Sequence, residues 1–203
     1  MKILALDASS PVASVAMVEF STSESKILYC YDQAHERINS SVFFQGLEEV
    51  FQQQGKPDRI VVGLGPGSYN GLRASIAAAQ GIASALSCPL VGIPSPLALP
   101  GSKSGYWACG DARGGQYWLA CIIDLRFVKE PFLLPPSDVL EHLEAHPSLP
   151  LIASTLLPQI PPSQKVEIMT PNAVLLASLG FSATPSERTP EPLYLKPPSV
   201  TVQ

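Results

Sequence analysis

An apolar strand that runs through a glycine turn straight into a helix constrains this chain more than any other feature. Arg59 to Leu64 reads as a buried strand. Gly65-Pro66-Gly67-Ser68-Tyr69-Asn70-Gly71 allows a tight reversal, and Leu72 to about Leu86 follows with helical spacing of apolar residues. Such a junction belongs to a crossover unit, so the segments around it should build a sheet with helices laid on it. Ile3 to Leu6 reads as a short buried strand ending at Asp7, Val12 to Phe20 as its hairpin return, and Lys26 to Asp32 as a third strand. Between His35 and Gln54, Ile38, Val42, Phe43, Leu47, Val50 and Phe51 recur at helical spacing until Gly55-Lys56-Pro57 stops them. Leu90 to Ile93 closes a β-β-β-α-β-α-β order, the signature of an α/β lobe with a mixed sheet.

After a Pro/Gly/Ser-rich stretch from 94 to 105, the opening recurs faintly. Asp111-Ala112 follows a largely apolar segment and precedes an apolar strand, Gln116 to Ile123, as Asp7-Ala8 does. Ala120 stands nine residues after Asp111, as Ala16 does after Asp7. This pattern predicts a duplicated α/β unit, with one lobe over 1–100 and a smaller one over 101–203. Strands are expected near Phe127 to Leu133 and Leu151 to Ala153, and helices near Ser137 to His146 and Asn172 to Leu179. Thr184 to Pro198 is proline-rich and should lie extended on the surface or along an edge.

Of the 203 residues, 46% are hydrophobic and 15% charged, enough apolar surface for a core. The net charge of -4, with 13 Lys+Arg in no run, excludes a basic stripe of the kind that grips nucleic acid unaided. The four cysteines have no metal-binding spacing, and Cys30, Cys109 and Cys121 fall in strand-like stretches that predict buried thiols. The N-terminus reaches Asp7 too early for a signal peptide and no apolar run could span a bilayer, which points to the cytoplasm.

The glycine turn could cradle an anion at the helix N-terminus, or simply turn the chain. It lacks the Gly-Lys-[Ser/Thr] of a P-loop and the dinucleotide fingerprint, so spacing alone favours the plain turn. Ser68 is not in a Gly-x-Ser-x-Gly elbow, and nothing in the sequence places His35 beside it. His142 and His146 could share a helix face, but surface histidines are the expected reading. Asp7 could ligate magnesium or cap the turn through Ser9 and Ser10.

The segment GPGSYNGLRASIAAAQGIA, Gly65 to Ala83, resembles the signature of the TsaB (YeaZ) family, which reads close to GPGSFTGLRIGLSVAKGLA. LDASSPVASVAM near the start is similar to that family's LDTSTxxxSVAL, DARGGQYW from Asp111 to Trp118 to its DARRGEVY, and PLYLKPP from Pro192 to Pro198 to its PxYLRxP. The resemblance implies a two-lobed actin/hexokinase-like (ribonuclease H-like) fold with mixed central sheets flanked by helices. It also implies a subunit without catalysis of its own that pairs with TsaD in making threonylcarbamoyladenosine on tRNA. TsaE, an ATPase, would join the larger complex, TsaC would supply threonylcarbamoyl-adenylate, and tRNA would be met only through the complex. TsaD-type subunits bind metal through His-x-x-x-His, and Ser95 and Leu99 stand at the corresponding places here, so no metal or other cofactor is expected. The chain departs from the family pattern at Arg37-Ile38-Asn39-Ser40 and at Tyr69-Asn70.

Two helices carry the positive expectation. On the second, Ala77, Gly81 and Ala85 form one small row and Ala74 and Ala78 another, so one face can lie on a sheet and another can admit a second helix. The first carries Phe43, Phe44 and Phe51 around most of its girth. Either a partner docks there or a second-lobe element covers the surplus. The expected docking residues are Phe43, Phe44, Leu47, Phe51, Ser68, Tyr69, Leu72, Arg73, Ser75 and Ile76, and the same helices could pair two copies of the chain. The competing readings are an ATP-binding enzyme using Asp7, the 65–71 turn and Asp111, and a free-standing homodimer that stabilises other partners.

Overall fold

The computed structural model describes residues 1–34, 40–101, 105–185 and 188–196. Strands β1 (Lys2–Asp7), β2 (Val12–Phe20) and β3 (Ser25–Ala34) form an antiparallel meander. Helix α1 (Ser40–Gln54) leads to β4 (Arg59–Gly63), parallel to β1, and helix α2 (Tyr69–Leu86) to β5 (Leu90–Ile93), parallel to β4. The sheet order is β3-β2-β1-β4-β5.

The second sheet repeats this plan. Strands β6 (Tyr106–Asp111), β7 (Tyr117–Ile123) and β8 (Arg126–Leu134) form another meander, and β9 (Leu151–Ala153) and β10 (Val166–Ile168) add in parallel, giving β10-β9-β6-β7-β8. Read from the meander's outer strand, both sheets follow one order, so the two-lobed α/β fold is present and the Asp-Ala repeat marks equivalent places, the ends of β1 and β6. The alanine part of the match does not hold register. Ala16 faces Ala5 whereas Ala120 faces Ala108, two and three residues before the respective aspartates.

β1 is buried on both faces, which explains its unbroken apolar run. Leu4 and Leu6, with Val15, Met17, Ile60 and Val62, meet Phe43, Leu47 and Val50 of α1 and Ile76 and Ala79 of α2. Ile3, Ala5, Ala16, Val18 and Val61 face the opposite way, onto Ala173, Leu176 and Ala177 of helix α4 (Ala173–Ser182). This corrects the lobe boundary. The division at residue 100 follows the sheets, but the last helix returns to the first sheet because that sheet's second face would otherwise stay bare. Between β8 and β9, the expected helix shortens to a 3₁₀ turn, Pro136–Asp138, and α3 (Val139–Leu143). No helix among the described residues is long and apolar enough to cross a membrane.

Candidate functional site

Asp7 ends β1 and is 1% exposed. Its Oδ1 accepts from the Ser9 N–H at 2.8 Å and the Ser9 hydroxyl at 2.7 Å. Its Oδ2 accepts from the Ser95 hydroxyl at 2.6 Å, and Ser95 Oγ in turn accepts from the Gly65 N–H at 2.9 Å. Burial pushes the carboxyl up from its ordinary range against the opposing pull of these hydrogen bonds. Gly63 lies so close that any Cβ there would run into Asp7 Oδ2.

The glycine turn is folded down on the Asp7 turn. Ser68 N–H donates to Ser9 O at 2.7 Å, and a Cβ on Gly67 would collide with the same carbonyl. Ser68 Oγ caps α2 by accepting from Gly71 N–H at 3.3 Å, and Leu72 N–H donates to Ser68 O. The N–H groups of Gly65, Ser68, Gly71 and Leu72 are thus bonded within the chain, two to hydroxyls and two to carbonyls, and these four donors are taken. Asp7 caps the turn through Ser9, whereas the Ser10 hydroxyl bonds Val12. Ser95 is taken up by Asp7, and Leu99 is a core residue of the second lobe, 2% exposed. Neither position offers a metal ligand, and among the described residues no three His, Cys, Asp or Glu converge.

Asp111, the equivalent aspartate, is exposed, and its Oδ1 accepts from Arg113 N–H at 2.7 Å. It borders an open depression of about 390 Å³ with Arg113, Tyr117 and Leu156. The two histidines do not form a pair. His142 packs edge-on against Phe132 with Lys129 Nζ 3.5 Å from its Nδ1, and His146 lies beside Trp107. Cys109 and Cys121 are buried as expected, but Cys30 is exposed because β3 is the edge strand and turns it outward.

The expected docking residues separate into two groups. Phe43, Leu47, Leu72, Ser75 and Ile76 are at most 5% exposed. They are corrected from surface to core: at 3.6 residues per turn they point at the strands, and the Ser75 hydroxyl is consumed by Leu72 O. Phe44, Tyr69 and Arg73 are exposed, and Phe51 and Ser68 half-buried. Tyr69 and Arg73 stack one turn apart, the guanidinium 5.3 Å from the ring centroid. Between the two small rows, the structure decides which is free. Ala74 and Ala78 are half-buried, whereas Ala77, Gly81 and Ala85 are exposed, with nothing within 4 Å of a Cβ built on Gly81.

Residues 30–103, spanning α1, α2 and the strands beside them, match the family model of TsaD, described as tRNA N6-adenosine threonylcarbamoyltransferase. Over 132 residues, 58% of this chain, the sequence is 28% identical to the tRNA threonylcarbamoyladenosine biosynthesis protein TsaB of Escherichia coli K12. The chain is similar to TsaB over that stretch. The aligned part spans about half, 54%, of that protein's length. Two solved structures from Pseudomonas aeruginosa, YeaZ and an uncharacterized protein with similarity to peptidase YeaZ, share the fold at a TM-score of 0.74 and 22% identity, covering 96% of this chain and 99% of theirs.

The TsaD match has a plain geometric meaning. The matched stretch holds both outward-facing helices and the Gly65–Gly71 turn, and it stops before the second sheet begins. His35, Arg37, Ile38 and Asn39, and the Pro197-Pro198 end of the last TsaB-like motif, lie outside the described residues.

Proposed function

We propose that the chain is a non-catalytic subunit of the machinery that places threonylcarbamoyladenosine on tRNA, and that it pairs with the catalytic subunit TsaD through the outer faces of α1 and α2. The observation that carries this reading is the open row Ala77-Gly81-Ala85, with Tyr69 and Arg73 at one end. A row of small residues lets a partner helix approach closely, while an aromatic and an arginine are the residue types that anchor interfaces. Exposed Phe44 and the half-buried Phe51 and Ser68 are further surface for the same partner in this reading. Sealed Asp7 and the internal bonding of the Gly65, Ser68, Gly71 and Leu72 N–H groups support the absence of catalysis, because a group that must hold phosphate or metal needs free donors or acceptors.

In this reading TsaE joins the pair, tRNA is met only through the complex in the cytoplasm, and no cofactor is held by this chain. The same helix faces would also serve a homodimer when TsaD is absent.

The test is co-expression with the TsaD of the same organism. The expected result is a stable heterodimer that the Gly81→Arg variant loses while keeping its fold. An unchanged heterodimer in that variant would move the interface elsewhere. No association at all, together with micromolar ATP binding by the isolated chain in calorimetry, would replace this reading with the nucleotide-binding one.

A further inference from the structure

The proline-rich end of the chain is tied down at both lobes. On the first lobe, Leu193 N–H donates to Leu64 O at 2.7 Å, and Gln80 Nε2 of α2 donates to Pro190 O at 3.0 Å. The Tyr194 ring lies against Tyr69, with centroids 5.4 Å apart. On the second lobe, Leu195 packs on the cluster of Tyr106, Ala108, Trp118 and Ile152. Lys196 Nζ donates to Arg113 O at 2.8 Å and to Ala112 O at 3.3 Å. These carbonyls belong to a turn in which Arg113, Gly114 and Gly115 all have positive φ. Leu64 abuts the turn that seals Asp7, and Ala112 follows Asp111. The segment therefore runs from the first Asp-Ala turn region to the second.

We infer that residues 190–196 are an interlobe clasp that bridges the two Asp-Ala turns and couples the start of α2 to the 111–116 turn. The chemistry suits the role. Prolines 190 and 192 reduce the freedom lost when the strap is laid down, an ammonium is matched to two converging carbonyls, and an aromatic pair fixes the strap against Tyr69. The inference rests on contacts inside one chain and stands whether or not TsaD is the partner.

The experiment is native-state hydrogen exchange on the full chain and on Lys196→Ala, Leu193→Pro and Lys196→Arg, read by mass spectrometry. Cooperative units open together. The clasp therefore predicts that Leu193→Pro, altered only on the first lobe, speeds exchange at Ala112 and Gln116 on the second by roughly tenfold or more. Lys196→Ala should likewise speed exchange at Leu193, and Lys196→Arg should restore most of the protection. Faster exchange confined to each variant's own contact, with the opposite lobe unchanged, would overturn the clasp.

Discussion

Arg59, the first residue of β4, closes the C-terminal end of α4 by donating from Nη1 to Gly180 O at 2.8 Å. The same nitrogen reaches Ala183 O at 3.1 Å and Phe181 O at 3.3 Å. At the other end of the helix, Asn172 Oδ1 accepts from Val174 N–H and Leu175 N–H, and Ser14 Oγ of β2 accepts from Ala173 N–H while donating to Asp32. A helix that arrives from the far end of the chain is thus held with a cation at its negative end and an acidic relay at its positive end.

Removing the cation should loosen that helix. Arg59→Ala is expected to cost about 1.5–3 kcal/mol, the range for hydrogen bonds to a charged group, measured by urea unfolding. Arg59→Lys should recover part of this loss. A variant within about 0.5 kcal/mol of the parent would show that apolar packing alone holds α4.

The two faces of α2 should respond oppositely to charge. Ile76 is 4% exposed and packs on the strands, so Ile76→Arg should cost more than about 4 kcal/mol and leave little folded protein. Gly81 faces open space, so Gly81→Arg should hold or raise the melting temperature, since a helical glycine is about 1 kcal/mol worse than a good helix former. Circular dichroism melts of both variants decide this before any partner is added.

Asp7 should make stability fall with rising pH. Because burial raises its folded value above the ordinary one of 3.8, the native chain keeps a proton that the unfolded chain has released, across the interval between the two values. Its contribution is greatest below the unfolded value and is lost as pH climbs through the folded value. Asp7→Asn lacks this titration, so it should gain on the parent as pH rises from acid to neutral. A constant difference between their urea midpoints across that range would refute the assignment.

Cys30 is exposed yet should alkylate slowly. Desolvation around its sulfur, followed by the nearby Asp32 carboxylate, pushes the thiol up to about 11. Burial pushes Cys109 up to about 12. Asp32→Asn should speed iodoacetamide labelling of Cys30 several-fold near pH 8 and leave Cys109 unlabelled until the chain unfolds.

Much of the fold was legible because its signals are local. Val12 to Phe20, Leu90 to Ile93 and Leu151 to Ala153 appear with the bounds their apolar runs suggest. Other elements were hidden for equally local reasons. β10, Val166–Ile168, is an edge strand with no fully buried residue, so it carries no apolar run. The helix expected up to His146 stops at Leu143, and of its residues Val139 is fully buried while Leu143 packs partly on the same cluster.

The sequence by itself determined that glycines lie where β4 turns into α2 and that α2 carries two rows of small residues, and it carried a faint repeat of Asp-Ala turns whose like sheets the structure supplies. These follow from backbone freedom and from the period of a helix or strand, which neighbouring residues dictate. Only the tertiary structure decided which of those rows is free, that Asp7 is sealed by Ser9 and Ser95, that α4 crosses back to Arg59, and that the tail joins Leu64 to Ala112. Each of these depends on groups distant in sequence meeting in space, where one helix face must be covered by a sheet and a buried carboxylate must find its donors.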